Sequence, residues 1–239
     1  MNYIISVDQS TSATKAVLFN EHCQLVNRVN LAHKQYYPQP GWVEHDAEEI
    51  YQNTVNVIRK VVELNKNENV SYSLAITNQR ETVVVWNKFT GKPVYHAIVW
   101  QCQRGAAICN RLKEEGYTPL FQEKTGLLID PYFAASGARW ILDNVEGARE
   151  SAEKGELLMG TIDSWLIWKL TEGKVHATDY TNASRTLLFN IHTLDWDDEL
   201  LELFTIPRNM MARPLPCDVV YGETTVEGIF ESPVTIAGV

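Results

Sequence analysis

The period of hydrophobic and polar positions changes twice along the chain. Tyr3 to Val7 and Lys15 to Phe19 are short apolar runs around a polar turn, Asp8-Gln9-Ser10-Thr11-Ser12-Ala13-Thr14, and Leu25 to Val29 follows. This predicts an antiparallel meander of three strands. Behind Asp46 the period lengthens: Ile50, Thr54, Val57, Ile58, Val61 and Val62 recur at helical spacing. Asp46 and Glu49 have the Asp-x-x-Glu form of a capping box, which predicts a helix over about 47–64. A polar loop at 65–69 then separates it from strands at 71–77 and 82–86, with a short buried strand at 97–100. Helices are expected over 103–115, ending at Gly116, over 134–144, and over 163–170 before Gly173. Further strands are expected near 219–221 and 234–237. Strands first and helices later indicate a mixed α/β domain, a mixed sheet flanked by helices.

Composition agrees with one sizeable core: of 239 residues, 45% are hydrophobic and 21% charged. No internal repeat or Pro/Gly/Ser-rich linker marks a boundary, so a single domain over 1–239 is expected. The net charge of -9 argues against nucleic acid and anionic membranes as partners, because both attract basic surfaces. No apolar run approaches bilayer length. Met1 leads directly into a strand with no leader pattern, so the expected location is cytoplasmic. Cys23, Cys102, Cys109 and Cys217 have no metal-site spacing and read as reduced structural thiols. The sequons at Asn69 and Asn182 carry no meaning without secretion.

The phosphate-loop, dinucleotide, nucleophile-elbow and zinc-protease motifs do not occur. Three subtler segments remain. In the turn from Asp8 to Lys15, hydroxyls and backbone N–H groups can face phosphate oxygens, Asp8 can hold Mg²⁺ through water, and Lys15 adds positive charge. An ordinary polar hairpin has the same composition. Asn78-Gln79-Arg80-Glu81, followed by Thr82, sets four hydrogen-bonding side chains between apolar strands, where Arg80 can donate to a diol and Glu81 accept from it. A surface ion pair is the plainer reading. Trp100 and Tyr132 can wall a carbon skeleton, or can simply belong to the core with Trp165 and Trp168.

Taken together, Asp8-Gln9-Ser10-Thr11, Gly41-Trp42-Val43-Glu44-His45-Asp46, Ile76 to Thr82, Ile98-Val99-Trp100-Gln101, Ile129-Asp130-Pro131-Tyr132-Phe133 and Asp179 to Thr186 form a collinear set. So do Phe189 to His192 and Leu194 to Asp197. The set resembles the diagnostic segments of glycerol kinases within the FGGY carbohydrate kinase family, and covers nearly the whole chain. That resemblance implies a ribonuclease-H-like domain of the actin-like ATPase superfamily, the substrate-binding half of a two-domain enzyme. It implies glycerol at Arg80, Glu81, Trp100 and Tyr132, the phosphates of ATP at Thr11, Ser12, Ala13 and Lys15, and Mg²⁺ near Asp8. The reaction implied is ATP-dependent phosphorylation of glycerol to sn-glycerol 3-phosphate. No catalytic base is expected within the chain: the family's aspartate would follow just after Val239, and a C-terminal nucleotide-binding domain would be the partner. On that reading this chain is a shortened, inactive piece, with an exposed face that favours self-association into a homo-oligomer. Alternatives are a kinase for erythritol or threitol and a non-catalytic polyol sensor.

Departures from the family pattern carry their own expectations. Ser10 stands where many members have Gly, and Lys15 replaces a frequent Arg, losing a bidentate fork. Glu223 occupies the place of a regulatory histidine in some bacterial members, and 226–231 lacks a Gly-Gly-Thr-Arg loop. Phosphorylation at that histidine and inhibition by fructose 1,6-bisphosphate are therefore not expected.

Overall fold

A computed structural model describes residues 1–65 and 70–239; the sequon at Asn69 and most of the loop expected at 65–69 lie outside them. Strands β1 (Asn2–Gln9), β2 (Ala13–Asn20) and β3 (Leu25–Ala32) form the expected antiparallel meander. Helix α1 (Ala47–Glu63) begins at Asp46, whose carboxylate accepts from the N–H groups of Glu48 and Glu49. Only half of the expected capping box forms. The Glu49 carboxylate turns away and accepts from the Lys34 N–H instead.

Strand β4 (Ser71–Asn78) runs parallel to β1. Beyond it come β5 (Val83–Asn87), α2 (Ala106–Glu114), α3 (Ala134–Asn144), β6 (Leu157–Thr161), α4 (Ile162–Leu170), β7 (Gly222–Thr224) and β8 (Val234–Ile236). The main sheet is six-stranded and mixed, in the order β7-β8-β4-β1-β2-β3. A second, antiparallel sheet of five strands contains β5 and β6 with the two-residue strands Gln35–Tyr36, Glu44–His45 and Ala97–Ile98.

The alternation of β1 decides which face is covered. Tyr3, Ile5 and Val7 point inward with Ala16 and Leu18 of β2, and Ile50, Val57, Ile58 and Val61 of α1 and Trp165 and Leu166 of α4 share that core. Val84 and Trp86 of β5 enter the same core, whereas Val83 and Val85 enter a second one with Leu112, Phe121 and Ile141. A strand buried on both faces needs apolar residues at every position, which is why residues 83–86 read as an unbroken apolar run.

Some expected boundaries shift. The helix expected from 103 starts at Ala106, because Gly105 packs directly against Ser136 and the preceding residues turn. The strand expected at 219–221 forms instead at 222–224: Val220 is exposed, while Tyr221 is buried with its hydroxyl donating to the Pro216 carbonyl. Strand β6 and the helices Thr118–Thr125 and Ala148–Glu153 were not expected. Among the described residues no helix is long and apolar enough to cross a membrane. All four cysteines are unbridged; Cys102 and Cys109 are buried, while Cys23 and Cys217 are exposed and so take no part in the core.

The parallel pairing of β1 and β4 places Gln9 beside Asn78. The turn after each strand therefore emerges at the same carboxyl edge of the sheet, where open α/β sheets place their ligands.

Candidate functional site

At that edge lies a cavity of about 450 Å³ lined by Thr11, Asn78, Gln79, Arg80, Glu81, Trp100, Tyr132 and Arg185. Glu81 has φ 67°, a left-handed conformation that costs a residue with a Cβ roughly 1–2 kcal/mol. That turn buries Gln79 and Glu81 and leaves Arg80 exposed. Among the described residues the Arg80 guanidinium forms no ion pair, so the surface Arg80–Glu81 pair is not what the turn builds. The Glu81 carboxylate accepts instead from Arg185 Nε through Oε1 at 2.6 Å. Its second oxygen remains available to a hydroxyl.

The aromatic wall is built by side chains from two loops. Trp100 and Tyr132 meet edge to face with centroids 5.4 Å apart. Tyr132 is fixed by an Asx turn, its N–H donating to Asp130 Oδ1 at 2.9 Å. Trp100 donates its indole N–H to Thr11 Oγ1 at 3.1 Å, tying the wall to the turn after β1.

The structure thus brings Thr11, Arg80, Glu81, Trp100 and Tyr132 to one cavity. Ser12, Ala13 and Lys15 do not line it: Ser12 is exposed on the turn, Ala13 is buried at the start of β2, and Lys15 pairs with Asp8 at 3.2 Å. The turn itself is braced by the Ser10 N–H and hydroxyl, both donating to the Ala13 carbonyl at 2.9 Å.

Sequence reasoning assigned no role to Arg185 or Asn182. Asp179 caps the short helix Tyr180–Ala183, accepting from Thr181 and Asn182 N–H groups, and this presents Asn182 Oδ1 to Asn78, whose Nδ2 donates to it at 3.0 Å. Arg185 follows and stacks near Phe133. The dense polar run 179–186 was the available signal, but nothing local to it says that it packs against a turn a hundred residues earlier.

A larger cleft of about 780 Å³ is bordered by Glu44, Asp46, Glu48, Lys169 and His96. The charged groups of these bordering residues are already engaged. Glu44 accepts from Arg104 (2.6 Å), Tyr95 (2.8 Å) and His96 (2.9 Å). Burial raises the Glu44 carboxyl, but those hydrogen bonds more than offset it and hold it below the usual carboxylate range. Lys169 pairs with Glu48 at 3.1 Å, and Asp46 caps α1.

The model of the N-terminal domain of the FGGY family of carbohydrate kinases matches residues 3–237. The chain belongs to the FGGY family. Among curated relatives, this FGGY chain is 55% identical over 238 residues to a glycerol kinase of Thermotoga maritima, covering 99% of the chain and 48% of the relative. It is 54% identical over 237 residues to a Geobacillus glycerol kinase, again covering 99% and 48%. The chain spans about half the length of the curated relatives it matches. The crystal structure of Plasmodium falciparum glycerol kinase with ADP superimposes with a TM-score of 0.95 at 35% identity, covering 100% of this chain and 48% of that one. A gluconate kinase from Lactobacillus acidophilus shares the fold with a TM-score of 0.87 at 20% identity, covering 99% and 48%. The FGGY domain therefore has the ribonuclease-H-like architecture of the actin-like ATPase superfamily, a mixed sheet flanked by helices.

Proposed function

We propose that this domain is the acceptor-binding part of a glycerol kinase: it seats glycerol in the 450 Å³ cavity for phosphorylation by ATP to sn-glycerol 3-phosphate. The observation that carries the reading is the convergence of Arg80, Glu81, Trp100 and Tyr132 on one cavity. Glycerol is neutral, with three donor–acceptor hydroxyls on a short carbon chain. Arg80 donates to hydroxyl oxygens, the open oxygen of Glu81 accepts from hydroxyls, and the aromatic pair covers the carbon face.

In this reading the turn after β1 receives the phosphates. The N–H groups of Thr11 and Ser12 make no hydrogen bond among the described residues, and unpaired N–H groups on a tight turn suit an anion. Lys15 adds charge behind them. Ala13, buried at the start of β2, supports the turn.

Asp8 is the candidate holder of Mg²⁺. Its side chain is 40% exposed and gives only Oδ2 to Lys15. Among the described residues no group of three or more His, Cys, Asp or Glu converges on a metal site. One half-exposed carboxylate suits Mg²⁺, which keeps most of its waters, rather than a cation held in an all-protein cage. When bound, the ion neutralises phosphate charge during transfer.

The new bond joins a primary hydroxyl oxygen to the γ-phosphorus, ADP leaves in line, and the hydroxyl proton passes to a carboxylate base. The base and the adenine site fall to the half of the relatives' length that this chain does not span. A cytoplasmic location fits a reaction that consumes ATP.

Isothermal titration tests the reading. Glycerol should bind, more weakly in Arg80→Ala, and erythritol should compete poorly. Erythritol binding as tightly as glycerol would sink the assignment of glycerol as acceptor.

A further inference from the structure

Beneath the phosphate turn lies a polar cluster that ligand contact does not explain. Gln9, His33, His45 and Gln79 are 0%, 8%, 0% and 7% exposed. Their donors and acceptors can be assigned from one end. Gln9 Nε2 donates to the Ser10 carbonyl (2.9 Å), which only accepts, so Gln9 Oε1 faces Gln79. Gln79 Nε2 therefore donates, to Gln9 Oε1 and to His45 Nδ1, both at 3.1 Å. Gln79 Oε1 accepts from the Thr82 hydroxyl at 3.1 Å.

His45 then accepts on Nδ1 and carries its proton on Nε2. His33 Nε2 lies 2.8 Å from the Thr11 carbonyl, so His33 also carries its proton on Nε2. Burial favours the neutral form of both rings: aided by His33, it holds His45 at about 3, and it lowers His33 against its bond to Thr11 and the charge of Glu49. Two buried ring nitrogens are left without partners, His33 Nδ1 and His45 Nε2. One is an acceptor and the other a donor. The rings lie edge to face with centroids 4.5 Å apart.

We propose that Gln79, His45 and His33 are positioning residues, a buried relay that holds Thr11 of the phosphate turn against the acceptor wall at Thr82 and Trp100, closed by a hydrogen bond from His45 Nε2–H to His33 Nδ1. The structure shows the two rings edge to face with that bond not made; a small adjustment of the rings that keeps the Gln79–His45 and His33–Thr11 contacts would close it and satisfy two polar groups whose isolation is costly. Thr11 is then held twice, at its hydroxyl by Trp100 and at its carbonyl by His33. Its role in coupling the two subsites rests on the polyol reading; its geometry does not.

Nitrogen-15 ring correlation spectra of the unmodified chain test the geometry without any ligand. Both histidines should be neutral at pH 7 with the proton on Nε2; a proton on Nδ1 of either ring overturns the relay. His33→Phe keeps the ring volume without a donor, and His33→Gln restores an N–H near the position of Nε2. The Phe variant should shift the Trp100 indole resonance and speed exchange of the Ser10 amide about tenfold, with recovery in the Gln variant. Unchanged exchange in the Phe variant overturns the relay. With glycerol, affinity should fall at least threefold in the Phe variant and recover in the Gln variant; equal affinities overturn the coupling. Failure of the unmodified chain to bind glycerol would instead overturn the polyol reading, leaving the spectra to decide the relay.

Discussion

Arg185 Nε stands 2.6 Å from Glu81 Oε1 across 104 residues of sequence. The pair joins the segment after the helix Tyr180–Ala183 to the strained turn after β4. It orients a carboxylate that is only 6% exposed in its side chain, while the guanidinium stays 33% exposed. Removing Arg185 frees a nearly buried carboxylate to rotate out of the cavity.

Arg185→Ala should therefore weaken glycerol binding about tenfold, about 1.4 kcal/mol, with little change in melting temperature because the pair is partly solvated. Arg185→Lys should recover only part of the loss, since a point charge cannot reproduce the guanidinium fork. Titration calorimetry with a parallel thermal melt separates the two effects. An unchanged affinity would remove Arg185 from the site.

The Glu44–Arg104 pair is structural. The Arg104 side chain is fully buried, centred 4.0 Å over Trp42 and 4.7 Å over Trp140, with Glu44 at 2.6 Å. Glu44→Ala strands that charge and should cost about 3–5 kcal/mol. Chemical denaturation reads it directly, and a loss below about 1 kcal/mol would mean that the pair behaves as a surface bridge.

Gly105 sits where α2 approaches α3. A methyl group there would lie 2.5 Å from Ser136 Cβ and 3.2 Å from its backbone carbon. Gly105→Ala should destabilise the fold by about 1–3 kcal/mol, and more than Gly116→Ala, where the added methyl meets nothing within 4 Å and only the left-handed backbone resists. Equal losses would show that α2 moves aside freely.

Acid should destabilise the domain through two buried histidines. Burial holds His45 at about 3 and His176 at about 4, the latter despite its bond to the Met159 carbonyl. The unfolded chain binds their protons first, near 6.5, so stability falls as pH drops from about 6.5 toward 4. Asp163 opposes this. Burial raises it to about 6, against hydrogen bonds from Thr161 and Thr178, so between about 6 and 3.8 the folded form binds its proton first and gains stability on acidification. Two groups outweigh one, so melting temperature should fall between pH 7 and pH 4.5, and fall further in Asp163→Asn. An equal drop in the variant would mean that Asp163 does not titrate in that window.

Residues whose neighbours decide their state were legible in the sequence. The meander of β1 to β3, α1 and α3 followed from local period and punctuation, whereas for Arg80, Glu81, Trp100 and Tyr132 a surface pair and core packing were the plainer local readings; only the family resemblance singled them out, and the structure brings them to one cavity. Strand β6 was not legible, because Leu157 to Thr161 is short, contains Gly160, and is a strand only through its pairing with β5. Arg185 was missed for the same reason, since its partner lies far along the chain. His33 lies in the link after β3 and His45 in the strand Glu44–His45, and their adjacency depends on how β3 ends against the second sheet.

The left-handed backbone at Glu81 has a consequence for how position 81 would drift. Glycine adopts that conformation without strain, so Glu81→Gly relieves the backbone while removing the carboxylate that lines the cavity. Stability and ligand recognition pull in opposite directions at this residue. In a population maintained only for folding, glutamate at 81 should give way to glycine or asparagine, whereas retention of glutamate would itself record selection for what the cavity holds.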